Sequence, residues 1–406
     1  MAMHRNRPYN NCSTIFITLA ICLIYGINGG VRGNFGTLLD PISNNSGLSY
    51  ADVSFVFAIS QLIFGVLQPV FGIIAVKISQ RFVLICGFLL MSGGFLLTPF
   101  CHAMWSLLLT LGLLLPAGTA ALSFGLLLGI AAGQIPPEKS STVSGFLNAS
   151  SGMGTTILAP ILQGMIAIGG IFGAMLFLGL PSLALLPLAF WLCRRRTDSP
   201  SATNSDSIVR ESGSRMIFSA LRDRNYLFLL LGFFTCGFHM AILETHFFNQ
   251  LLSFNFTRET AALIFSVYGL LTMIGSALSG ILCTRFSMKN ILGSIYAVRV
   301  VLAITLVIMP KAVLLLIPFV IVLGLTSDST VSPTAGLVLK NFGVLKLPTL
   351  FGLAFLTHQV GCFASAWIGG ILVKTTGGYE FLWICDSVLS AIAAIVSYLI
   401  REKHRV

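Results

Sequence analysis

Charge is what this chain has least of. Of its 406 residues, 9% are Asp, Glu, Lys or Arg, where a soluble domain carries about a quarter. With 56% hydrophobic residues and a mean hydropathy of +0.92, a chain of this length cannot hide its apolar surface from water. Lipid is therefore its solvent. Other absences narrow the choice further. The apolar runs are long and continuous, not alternating segments of about ten residues, which excludes a transmembrane barrel and leaves helices. No Walker sequence is present to draw on ATP, and no HExxH stretch to build a metalloenzyme. The nine cysteines stand singly, without CxxC or metal-ligand spacing, and read as small apolar fillers. No cofactor or metal is expected.

What is present is a series of apolar stretches, each long enough to cross a bilayer. Turn and charge signals place twelve spans near 13–39, 49–77, 81–102, 104–133, 138–167, 170–193, 225–252, 258–285, 288–309, 311–340, 346–374 and 378–400. The apolar run after "MAMHRNRPYNNCS" continues too far for a cleaved signal and reads as the first helix. The one long hydrophilic stretch, "RRRTDSPSATNSDSIVRESGSR", divides the chain. The expected organisation is a six-helix half over 1–193, a cytoplasmic linker over 194–224, and a second six-helix half over 225–406. With both termini on the cytoplasmic side, nineteen lysines and arginines fall on that side. Arg258, Lys311 and Lys374 fall outside, and Arg32 and Arg299 remain within the membrane. This asymmetry explains the net charge of +11 through anionic lipid heads, without a nucleic-acid partner. The expected location is the inner (cytoplasmic) membrane, as a multi-pass monomer.

The halves echo each other. "GIIAVKISQR" begins at Gly72 and "GILCTRFSMK" at Gly280, an offset of 208. Near the same offset, "SGFLNASSGMG" from Ser144 matches the region of "FGLAFLTHQVG" from Phe351. Parallel repeats of six helices place a binding site between halves that can rock about it.

Twelve spans in two halves, with this loop after the second, resemble the major facilitator superfamily. Of the family's pattern G-x-x-x-D-R-x-G-R-R, the first loop keeps Gly72, Lys77 and Arg81 but has Val76 for the acid and Ser79 for the second glycine. The stretches "GVRGNFGTLLDPI", "CGFHMAILETH" and "HQVGCFASAWIGGILVKTTGGY" resemble the bacterial monocarboxylate-porter-like branch. That resemblance implies an all-α carrier of small organic solutes. The arginine such carriers place in span 8 has no counterpart in "SVYGLLTMIGSALSG".

Ionisable groups inside spans cost a few kcal/mol each and face a cavity or a partner. Arg32, among Gly29, Gly30, Gly33 and Gly36, is the candidate cation for an anionic substrate, by charge-assisted hydrogen bonding. A structural arginine capping carbonyls is the alternative. Asn28 lies one turn away. In span 7, His239, Leu243 and His246 share a helical face, while Glu244 lies about 100° aside. His239, His246, His358 and Gln359 are further substrate contacts, and Glu244 is the first choice for proton coupling. Asp328, among serines and threonines in "GLTSDSTVSPTAG", is either a second proton carrier or a structural partner of Arg299. Asp386 is placed near the outer boundary or against a neighbour. Gln61, Gln68 and Asn148 read as glue between helices.

The functional expectation is a secondary active transporter of a small organic anion such as a carboxylate, proton-coupled and working by alternating access. Its partners are the solute, protons or another coupling ion, and lipid. An exporter of drugs or siderophore-like compounds stands as the alternative, and a membrane-embedded enzyme as a remote one.

Overall fold

The computed structural model describes residues 11–194, 213–309 and 313–402. Every regular element among the described residues is helical, as backbone groups in lipid require. Eleven segments are long and apolar enough to cross a membrane. One of them, Pro137–Cys193, has 57 residues and contains a reversal at Gly170, whose φ of 58° and ψ of −154° suit glycine alone. It supplies spans 5 and 6, so the chain crosses twelve times.

Polar side chains set the starts. Ser49 and Asp52 form a capping box ahead of span 2, Tyr50–Lys77. Ser79 caps span 3, Gln80–Leu97. Asp223 caps span 7, which begins Arg224–Ala241, and Thr257 caps span 8, Arg258–Arg285. Spans 9, 11 and 12 are Met288–Ile308, Leu347–Thr376 and Glu380–Leu399. Of the hydrophilic linker, residues 195–212 lie outside the described residues. Its end forms a short helix, Gly213–Leu221.

Span 1 departs from expectation. Asn11–Gly33 is followed, after Asn34, by a second helix, Phe35–Ser46. Asn34 sits at the break and donates to the Gly30 carbonyl at 2.7 Å and the Thr155 carbonyl of span 5 at 3.1 Å. Arg32 thus lies just before the break in a span that runs on to Ser46.

The two halves meet at the end of the bundle that carries the linker. An alanine-like Cβ at Gly72 would lie 2.5 Å from the Thr349 nitrogen of span 11. One at Gly280 would lie 2.5 Å from the Gly145 Cα of span 5. Backbones this close admit no side chain. Gly72 and Gly280 head the two repeated sequence motifs, so the motif glycines occupy corresponding seats in the seal. Above them lies an aromatic floor drawn from both halves. Tyr25 meets Phe124 at 5.6 Å between centroids, Phe124 meets Phe351 at 5.0 Å, and Phe351 meets Phe233 at 5.6 Å. Phe64 meets Phe355 edge-on at 5.7 Å. Spans 1, 2 and 4 supply one side of this floor and spans 7 and 11 the other.

Candidate functional site

The charged groups gather beyond the aromatic floor, where helices lose their regular winding. Arg32 comes just before the break at Asn34. Glu244 lies in a π-helical turn of span 7, Ile242–Phe247, a form often found at functional sites. Asp328 opens a 3₁₀ turn, Asp328–Thr330, between Val313–Ser327 and Val331–Phe342 of span 10.

Arg32 is held but not saturated. Its guanidinium carbon lies 3.5 Å from the centroid of the Phe64 ring, a cation–π contact. Its Nη2 donates to Gln61 Oε1 at 3.0 Å, while its Nε has no hydrogen-bond partner. Gln61 Oε1 also accepts from Gln359 Nε2 at 3.4 Å. Arg32 of one half is therefore tied through Gln61 to span 11 of the other. Next to Gln359, the His358 ring stacks on Phe355 and tilts against Phe233, each at 5.1 Å. Its Nδ1 lies 3.4 Å from Gln359 Oε1 and 3.6 Å from Cys362 Sγ.

The acids complete the ring. Glu244 is exposed and interacts electrostatically with Asp328, His358 and Arg32. Asp328 interacts in turn with His358 and Arg299. Neither carboxylate joins the two salt bridges found among the described residues. Arg32, Glu244, Asp328, His358 and Gln359 thus converge from spans 1, 7, 10 and 11.

Other expected contacts lie elsewhere. His239 is wholly buried, and its Nδ1 lies 2.8 Å from Asp386 Oδ2 of span 12, itself wholly buried. Trp383 of the same span lies edge-on to the imidazole at 6.1 Å. His246 packs toward span 11, where a Cβ on Gly369 would come within 2.6 Å of its Nε2, with Tyr379 at 6.3 Å. Both histidines share a face, as their spacing requires, but that face turns to spans 11 and 12. Asn28 is also no cavity group: its Nδ2 donates to the Thr119 and Leu122 carbonyls at 2.9 and 2.8 Å, where a helix of span 4 ends. The expected Arg299–Asp328 pair forms no salt bridge among the described residues, although Arg299 acts on Asp328 electrostatically. Arg299 Nη2 donates to the Thr326 carbonyl at 3.0 Å and to the Ser327 carbonyl, the chain just ahead of the Asp328 turn. Cys236, Tyr296 and, at longer range, Asp386 act on Arg299 electrostatically.

Gln61 joins helices, as expected of it, by accepting from Arg32 of span 1 and Gln359 of span 11; its place as the partner of Arg32 is what sequence reasoning missed. Its odd position, a polar residue within an apolar span, was the only signal. Asn148 fits the same expectation: its Nδ2 donates to Ser276 Oγ at 2.7 Å and to the Asp328 carbonyl at 3.0 Å, across the two halves.

Comparison with known proteins agrees with this architecture. Over 96% of this chain and 100% of the other, the fold matches the crystal structure of the E. coli fucose:proton symporter FucP, with a TM-score of 0.75 and 15% identity. Human monocarboxylate transporter 12 is 24% identical over 382 residues, 86% of this chain and 74% of its own length. The oxalate:formate antiporter of Oxalobacter formigenes is 25% identical over 191 residues, 43% of each chain. The family model described as Major Facilitator Superfamily matches residues 21–363 and 247–406. The chain belongs to the Major Facilitator Superfamily, as a transporter resembling its monocarboxylate-porter-like branch.

Proposed function

We propose that this transporter moves a small organic carboxylate, that Arg32 binds the carboxylate, and that Glu244 and Asp328 carry the coupling proton. The observation that carries this reading is the state of Arg32. Phe64 supports one face of its guanidinium and Gln61 holds Nη2, but Nε has no partner. A carboxylate is the planar, bidentate acceptor that such an edge takes best. Displacing Gln61 would also loosen its contact with Gln359, linking substrate binding to the junction of the halves. Glu244 lies in the field of Asp328, and two acids on spans 7 and 10 are the groups suited to carry a proton. The names of the relatives, a monocarboxylate transporter and an oxalate:formate antiporter, support a carboxylate as cargo.

With the termini and linker in the cytoplasm, the observed seal closes the cytoplasmic side and leaves the cavity facing outward. Alternating access then consists of breaking the glycine and aromatic contacts at that end and forming a seal at the other. The test is a thermal-stability screen of purified protein against organic anions, cations and neutral solutes, run beside Arg32→Ala. A ligand at 100 times its Kd adds about 2.7 kcal/mol to the folded state. A carboxylate that stabilises the wild type and not the variant supports the reading, and uptake into proteoliposomes under a pH gradient then tests coupling. Equal stabilisation of both proteins, or stabilisation by cations and neutral solutes alone, sinks it and favours export of other compounds.

A further inference from the structure

The short helix at the end of the linker, Gly213–Leu221, has two unlike faces. Met216 and Ala220, one turn apart, are each 2% exposed, and the helix rests on spans 7 and 11. Phe218 lies on the opposite side of the helix, about 200° round from Met216. It is 58% exposed, and Leu221, a turn further on, is exposed beside it. Three arginines flank this apolar pair, Arg215, Arg222 and Arg224, all exposed. The Arg222 guanidinium carbon lies 4.4 Å from the Phe218 ring centroid, and that of Arg224 lies 5.1 Å from the Phe228 centroid. No acid answers them nearby. The helix itself carries none, and Asp223 is taken up in capping span 7, where it accepts from the Asn225 backbone N–H at 2.8 Å. None of the three arginines joins the two salt bridges found among the described residues. Their depth is set by span 7. Arg224 is its first residue and shares a face with Leu227 and Leu231, both exposed to lipid. It therefore stands where the apolar span ends and the headgroup layer begins.

We propose that this helix docks on anionic phospholipids of the leaflet at the linker end. Phe218 and Leu221 enter the interfacial layer, and Arg215, Arg222 and Arg224 bind the lipid phosphates. An anionic membrane surface matches both features at once: an apolar layer for the ring and negative charge for the guanidiniums, in the plane from which span 7 emerges. A free anion would meet the arginines and leave Phe218 in water. Because Met216 and Ala220 tie the helix to the bundle, lipid held here stabilises the folded protein. The site also adjoins the seal. Tyr226, two residues beyond Arg224, is wholly buried, and its hydroxyl donates to the Leu350 carbonyl at 2.7 Å. Leu350 follows Thr349, the residue that meets Gly72.

The experiment places the purified protein in nanodiscs of phosphatidylcholine alone, or of phosphatidylcholine mixed with phosphatidylglycerol, with melting temperature as the readout. Wild type is compared with the triple variant Arg215→Gln, Arg222→Gln, Arg224→Gln, whose altered side chains are all at the surface. Phosphatidylglycerol is expected to raise the melting temperature of wild type, and the variant to lose most of that rise. In detergent, each single substitution weakens phosphatidylglycerol about fivefold, the worth of one basic residue near a charged leaflet, and added salt erases the difference. Phe218→Trp supplies a second measure: brominated acyl chains should quench its emission beyond any quenching in the parent. An equal rise in wild type and triple variant overturns the proposal, because the lipid then acts on the bundle at large. Inorganic phosphate that stabilises the protein in detergent as well as phosphatidylglycerol does overturns the membrane as partner and leaves a free-anion site. A tryptophan at 218 that brominated chains do not quench also overturns it, and turns this face to a soluble partner.

Discussion

Arg299, Asp386 and His239 show how a membrane protein keeps ionisable side chains dry. All three are wholly buried. His239 Nδ1 lies 2.8 Å from Asp386 Oδ2, while Arg299 Nη2 donates to the Thr326 and Ser327 carbonyls. Removing one member of a buried pair costs about 3–5 kcal/mol because its partner is left uncompensated. The cost should not be equal for the two ends. Asp386→Asn removes the carboxylate that His239 Nδ1 faces and an acid that acts on Arg299 at longer range, whereas His239→Asn keeps an amide donor opposite that carboxylate. Asp386→Asn is therefore expected to lower the melting temperature in detergent markedly more than His239→Asn, and equal losses would refute a role for Asp386 beyond its contact with His239. This cluster was half legible in the sequence. Spacing showed that His239 and His246 share a face, but a helical period does not say which neighbour that face meets. The direction comes from Asp386, 147 residues further along, which the sequence places near the outer boundary or against a neighbour without naming that neighbour.

Whole spans were legible because lipid imposes a simple rule, about twenty apolar residues per crossing. Their irregular turns were not, because tertiary contacts create them. Asn34 breaks span 1 by bonding across to Thr155, and the turn at Glu244 lies in a stretch whose local sequence is ordinary for a helix, whereas Asp328 sits among serines and threonines ahead of Pro333, which does signal a kink. Element ends are a further case. Glu402, just past span 12, accepts from Lys340 Nζ of span 10 at 2.8 Å and from Ser287 Oγ ahead of span 9 at 2.7 Å. The Lys289 backbone N–H adds a third contact at 3.4 Å. Partial burial alone would push the carboxyl's pKa up, but these donors and the Lys340 charge outweigh it and hold it below the ordinary value. A carboxyl with a depressed pKa adds stability above its unfolded pKa, near 4.3, and loses it as pH falls through the lower folded value. Glu402→Gln should accordingly melt a few degrees below wild type at pH 7. The gap should close as pH drops below the carboxylate range. A gap that is constant with pH would show that the charge of Glu402 contributes nothing.

At the scale of the whole molecule, the repeat explains why two weakly matching loop motifs keep their first glycine. Gly72 and Gly280, 208 residues apart, each sit where one half touches the other: Gly72 on Thr349, Gly280 on Gly145. The acid and second glycine of the family pattern are missing from the first loop, yet the glycine that permits backbone contact persists because the seal needs its missing side chain. Gly145→Leu tests this directly. Its Cβ would stand 2.8 Å from the Gly280 Cα and 2.9 Å from the Ala277 carbonyl oxygen, both main-chain atoms that cannot rotate away. Each half keeps its own packing, so the strain is relieved by parting the halves at the linker end. Spin labels at Lys77 and Arg285, on opposite halves at that end, should show a longer distance in Gly145→Leu than in the parent. Uptake should fall by tenfold or more, on the order of 1.4 kcal/mol, because the sealed state becomes costly. Gly145→Ala should give an intermediate shift in both measures. An unchanged label distance in Gly145→Leu, with the protein still folded, would mean that the glycine contact does not hold the halves together.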